Sequence, residues 1–137
     1  MLTTLRLTPL LLTLTLSVAS TSLAPATNFT EDALTFAIEK HPIDQQGPQV
    51  IDLKVRLDYK LDIGRKEYPD FEEVYRNLLA WMKDYPDKSA YWEPFNRDLA
   101  KKLLDTYPAV TAATLELKVH PTFGIQYSHS SIVTIKR

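Results

Sequence analysis

The sequence predicts an α+β domain: two strands, two helices and two more strands in that order, giving a four-stranded antiparallel sheet with two antiparallel helices on one face. Three observations predict it. From Gln49 to Asp62 apolar and polar residues alternate without a break, the period of a half-buried strand. Two later stretches, 70–85 and 93–107, carry apolar residues at helical spacing. At Tyr107-Pro108 the second helical pattern gives way within a few residues to another period of two. A helix that feeds a strand through so short a join must fold back across the sheet.

The first strand is expected over Thr30–Lys40, where Leu34, Phe36 and Ile38 alternate with Thr35, Ala37 and Glu39. His41-Pro42 reads as its end, and Asp44-Gln45-Gln46-Gly47-Pro48 is turn chemistry. The second strand, Gln49–Asp62, puts Ile51, Leu53, Val55, Leu57, Tyr59 and Leu61 on one face and Asp52, Lys54, Arg56, Asp58, Lys60 and Asp62 on the other. A sheet with one charged face is antiparallel and wet on that side. Ile63–Tyr68 is a loop. Asp70 then caps a helix, with Glu73 as the reciprocal capping residue, and Phe71, Val74, Tyr75, Leu78 and Met82 form its buried face. Tyr85-Pro86-Asp87 ends that helix and Asp87–Trp92 links it to the next.

Glu93 opens the second helix and Pro94 fits its first turn, where a missing N–H costs nothing. Phe95, Leu99 and Leu103, flanked by Ala100 and Leu104, make a broad apolar face. In the third strand Ala113, Leu115, Leu117 and Val119 alternate with Thr114, Glu116, Lys118 and His120. His120-Pro121 ends it. Tyr127–Arg137 is the last strand.

The amino terminus reads as a signal peptide, residues 1–26, followed by one domain, residues 27–137. Arg6 precedes an apolar Leu/Thr-rich run from Leu7 to Val18 that is short for a membrane span. Ala24-Pro25-Ala26 is an A-x-A cleavage pattern, so cleavage is expected after Ala26, with Ser20 as the other site. The protein is therefore expected to be exported, periplasmic or secreted, with no stable membrane span after processing. Asn28-Phe29-Thr30 matches a glycosylation acceptor, which matters only in a eukaryotic secretory route. The chain of 137 residues contains no cysteine, so a disulfide framework, a thiolate metal site and a cysteine nucleophile are all excluded. Sixteen basic residues face 17 acidic ones. That balance, without a basic run, argues against a nucleic-acid partner. His41, His120 and His129 are scattered, with no metal-ligand spacing, so no metal and no cofactor are expected.

The stretch from Glu93 to Pro121 resembles the tunnelling fold, the superfamily of dihydroneopterin aldolase and urate oxidase. In the aldolases a substrate-gripping Glu opens the second helix and a Phe/Tyr-Pro-x-Val turn follows about four helical turns later; Glu93 and Tyr107-Pro108-Ala109-Val110 stand in that relation. In urate oxidases such a turn leads through a strand to a His-Pro or Lys-Pro pair, as Leu99-Ala100-Lys101-Lys102 through His120-Pro121 does here. The likeness covers roughly residues 32–137. It implies a single tunnelling-fold unit that joins others sheet edge to sheet edge in a homo-oligomer, with a pterin- or purine-like heterocycle bound between subunits.

On that resemblance Glu93 is the substrate-binding carboxylate, able to accept two parallel hydrogen bonds from an amidine-like edge. Its other reading is a helix cap, which favours the same residue type. Trp92, with Tyr91, would stack on the ring; the competing reading is packing between helices. Asp44 corresponds loosely to the family's acidic residue of the first loop. Phe71 stands where the aldolases place a Tyr, and a phenyl ring cannot relay a proton. His120 stands where they place a Lys before a Pro, one residue beyond the strict spacing, which falls on Val119. A His can serve as the catalytic base near neutral pH. If the protein is an enzyme, the resemblance implies a dihydroneopterin aldolase-like lyase. Two functions follow: an exported heterocycle-binding relative of the aldolases, or a non-catalytic oligomeric scaffold or interaction domain that has lost the ligand chemistry.

Overall fold

The computed structural model describes residues 28–137; the signal peptide expected at 1–26 and its cleavage sites lie outside them. Six elements follow in chain order: β1 (Ala33–Asp44), β2 (Pro48–Tyr59), α1 (Phe71–Lys83), α2 (Trp92–Thr106), β3 (Val110–Val119) and β4 (His129–Lys136). The strands form one sheet in the order β1-β2-β3-β4, and every neighbouring pair is antiparallel. The α+β architecture expected from the periodicity is the one observed.

The core lies between the sheet and the helices. Ile51, Leu53, Val55 and Leu57 of β2 and Leu115, Leu117 and Val119 of β3 are buried, and they meet Val74, Leu78 and Met82 of α1 and Phe95, Leu99 and Leu103 of α2. α2 packs over β3 and β4, while α1 lies over β1. The opposite face of the sheet carries charge. There Lys54 pairs with Glu116 at 3.5 Å, and Arg56 with Asp58 at 2.7 Å and Glu31 at 2.5 Å. Arg137 folds back at the carboxy terminus, donating from Nε to Val110 O at 2.8 Å and from its Nη2 to Leu104 O. It thus ties the segment after β4 to the last turn of α2 and the start of β3.

Several local expectations are corrected. β1 does not stop at His41-Pro42 but continues to Asp44 through a register shift between Ile38 and His41. Lys40 takes a left-handed φ of 49° there. Proline is tolerated because β1 is an edge strand with one side unpaired. β2 ends at Tyr59 rather than Asp62, which has φ 62° and turns the chain. Asp70 caps α1 by accepting from the Glu72 N–H at 3.0 Å, with no reciprocal bond from Glu73 among the described residues. Phe71 and Tyr75, expected on the buried face of α1, are 56% and 41% exposed. They sit at the rim of the helical stripe, beyond the reach of the sheet. β4 begins at His129, not Tyr127.

Candidate functional site

The end of the sheet where β1 turns into β2 collects most of the chemistry. Val119 pairs with Ile51 on one side and His129 on the other, and the His120 N–H donates to Val50 O at 2.9 Å. The β1–β2 turn docks on the link between the helices. Gln45, fully buried, donates from Nε2 to Asp87 O at 2.8 Å and Ala90 O at 2.9 Å, and Gln46 N–H bonds Lys88 O at 2.7 Å. Those contacts set the end of β1 beside the start of α2. Asp44, Trp92, Glu93 and His120 therefore share one end of the molecule.

Glu93 lies in the first turn of α2, exposed to solvent. It is not the helix cap: the N-cap position is Tyr91, without a side-chain bond. The Glu93 carboxylate has no hydrogen bond or ion pair among the described residues. It keeps the favourable field of the helix start and offers both oxygens outward. Trp92 is only 5% exposed and meets Phe95 edge-on at 5.7 Å, so within one chain its ring is core packing. Tyr91, 74% exposed, is the open aromatic ring beside Glu93.

Asp44 is the last residue of β1 and borders a cleft of about 470 Å³. That cleft lies between the end of β1 and the last turns of α1, lined by His41, Ile43, Leu79, Met82 and Lys83. Burial lowers the pKa of His41, so this ring favours its neutral form. A second hollow, about 510 Å³, opens on the charged face between Phe36, Lys54, Arg56 and Glu116.

His120 is on the charged face, its side chain 28% exposed, with Nε2 2.8 Å from Asp52 Oδ2. Val119, the alternative at strict spacing, is buried in the core. The other Asp52 oxygen accepts from the Lys40 N–H at 2.8 Å. Asp52 has its pKa lowered first by that backbone bond, then by His120, with Lys118 adding its charge. The sheet end separates Glu93, in the helix layer, from His120, on the opposite face. Phe71 stands apart from all of these. It opens α1, and 13 residues of helix, roughly 20 Å at about 1.5 Å per residue, separate it from the end where α2 begins.

Two further polar residues escaped the sequence reading. Asn96, fully buried in α2, donates to Leu115 O at 3.2 Å and Ser131 O at 3.0 Å. The available signal was an Asn on an otherwise apolar helix stripe. Gln45 had none, since turns are rich in polar residues. Asn96 Oδ1, Gln45 Oε1 and His129 Nδ1 are buried without a partner. His129 is half-buried. Among the described residues no group of three or more His, Asp or Glu could hold a metal ion, and no helix is long and apolar enough to cross a membrane.

Two strands, two helices and two strands, closed into one antiparallel sheet with both helices on one face, define a tunnelling-fold unit. Solved structures of that fold match it. A dihydroneopterin aldolase from Burkholderia thailendensis bound to guanine superposes with a TM-score of 0.56 at 14% identity, over 77% of this chain and 93% of its own. A Vibrio cholerae protein assigned to dihydroneopterin aldolase gives 0.61 at 13% identity, over 80% of this chain and 100% of its own. No protein-family model and no curated protein matches the sequence. The likeness is one of fold.

Proposed function

We propose that this is an exported, dihydroneopterin aldolase-like protein that binds a pterin- or purine-like heterocycle between subunits. One observation carries the reading. Glu93, an exposed carboxylate with no internal partner, opens α2 in a fold shared with an aldolase bound to guanine. Two carboxylate oxygens match the paired N–H donors on one edge of guanine or a pterin.

The site is shared between chains on this reading. β1 and β4 are open edges, which pair with other chains unless blunted. Phe71, at the far end of α1, reaches the ligand of Glu93 only from a neighbouring subunit. With Phe in that position the proton relay of a Tyr is missing, so binding is the core of the proposal and His120 is the remaining candidate base. Titrating the mature protein with guanine, neopterin and dihydroneopterin by calorimetry tests it. Saturable binding of one of them supports the reading; none binding overturns it in favour of an interaction domain. Export is tested separately, by mass spectrometry of the extracytoplasmic protein. An amino terminus near Thr27 or Thr21 is expected, and a soluble chain retaining Met1 refutes it.

A further inference from the structure

Asp52 is held from two sides. The left-handed turn of the chain at Lys40 brings the Lys40 N–H to Oδ1, and His120 Nε2 stands 2.8 Å from Oδ2. Lys118 lies opposite Asp52 on β3 and keeps positive charge nearby. His120 Nε2 is closed off from solvent, and it meets the carboxylate out of line with a well-directed hydrogen bond. An ionised carboxylate this close repels a bare nitrogen lone pair, so Nε2 carries the proton. In a neutral imidazole the other nitrogen is then the acceptor. Nδ1 of His120 has no hydrogen-bond partner among the described residues.

We infer that Asp52 is a positioning residue for His120. It fixes the Nε2–H tautomer and leaves Nδ1 free as hydrogen-bond acceptor and general base toward the ligand. The identity of that ligand rests on the heterocycle reading above; the tautomer does not. The step balances within the site. A ligand N–H or O–H gives its proton to Nδ1, the electron pair stays on the ligand, and the imidazolium so formed is stabilised by the Asp52 carboxylate against the field of Lys118. The proton returns when the ligand leaves.

Side-chain nitrogen NMR of the labelled protein reads the tautomer, with His120→Gln assigning the signals. The neutral wild-type ring is expected to carry its proton on Nε2, and Asp52→Ala to give a mixture of tautomers. Asp52→Asn, which keeps an acceptor oxygen, is expected to restore the wild-type tautomer. A proton on Nδ1 in the wild type overturns the assignment whatever the variants do. Calorimetry with guanine supplies the second readout. Asp52→Ala is expected to weaken binding about tenfold, and to have no effect once His120 is Ala, because the two act as a unit. Independent, additive losses or unchanged affinity show that Asp52 does not act through His120. A wild type that takes up none of guanine, neopterin and dihydroneopterin removes the heterocycle reading, while the spectrum still decides the tautomer.

Discussion

Asp52 and His120 close the open face of the sheet at one end, their Oδ2 and Nε2 2.8 Å apart across β2 and the end of β3. The same carboxylate holds the β1 bulge through the Lys40 N–H. One side chain thus joins three strands' worth of chain, and its ionisation is coupled to stability.

The Asp52 carboxyl sits below its ordinary pKa of 3.8. A depressed folded value contributes stability above the unfolded pKa, and that contribution is lost as pH falls through the folded one. Replacing Asp52 by Ala should therefore lower stability near pH 7 by about 1.5–3 kcal/mol, the range for a hydrogen bond to a charged group. The deficit should shrink in acid, below the ordinary carboxyl value. Thermal melts of both proteins at several pH values measure it; a pH-independent difference would falsify the linkage.

Glu93→Gln separates the two roles of that residue. As a dipole partner alone it costs about 0.3–1 kcal/mol of stability. As the ligand's grip, the change turns an acceptor oxygen into a donor facing the ligand's N–H groups, costing about 2–4 kcal/mol of binding. The expected outcome is the second, a loss of roughly 30- to 1,000-fold in guanine affinity at about 1.4 kcal/mol per tenfold. Equal affinities in the two proteins remove Glu93 from the site.

A shared site predicts complementation. Phe71→Ala and Glu93→Gln should each bind guanine poorly in a pure oligomer. Dissociated, mixed and reassembled, the two should regain some high-affinity sites in which one chain supplies Phe71 and another Glu93. Light scattering must first give a multiple of the monomer mass. A monodisperse monomer at micromolar concentration rules out both the oligomer and the shared site.

Arg137 tests the clamp that follows β4. Its guanidinium reaches carbonyls of Leu104 and Val110. Truncation to Ala should cost about 1.5–3 kcal/mol, since those bonds involve a charged donor. Urea denaturation with an unchanged slope is the expected signature; an unchanged midpoint shows that the clamp adds nothing.

Asn96→Ala removes a buried amide that donates to Leu115 O and Ser131 O. Its Nδ2 also lies 3.2 Å from Ser131 Oγ and its own Oδ1 is already unpartnered, so the net loss is the balance of the lost amide bonds against one relieved orphan. About 1–2 kcal/mol of destabilisation is expected. A variant more stable than wild type would show that the orphaned oxygen outweighs the amide's bonds.

The residue periods of the sequence by themselves determined the elements. The alternation of Ile51 to Leu57 and the stripe of Phe95, Leu99 and Leu103 are local patterns, and local backbone geometry turns them directly into a strand face and a helix face. Element order and the short join at Tyr107-Pro108 then left few ways to close the sheet. What the chain's linear order does not carry is which distant groups meet. Only the tertiary structure decided that His41-Pro42 lies inside a strand, because a proline's missing N–H is harmless on an edge and disruptive in a sheet centre. It decided that Phe71 faces water and lies at the other end of α1 from the start of α2, since a residue at the rim of a helical stripe is buried only where the sheet extends under it. The Asp52–His120 pair, the Gln45 dock and the Arg137 clamp belong to the same class. Each joins residues far apart in sequence, and such contacts are fixed by strand register and chain reversal rather than by any pattern a local window contains.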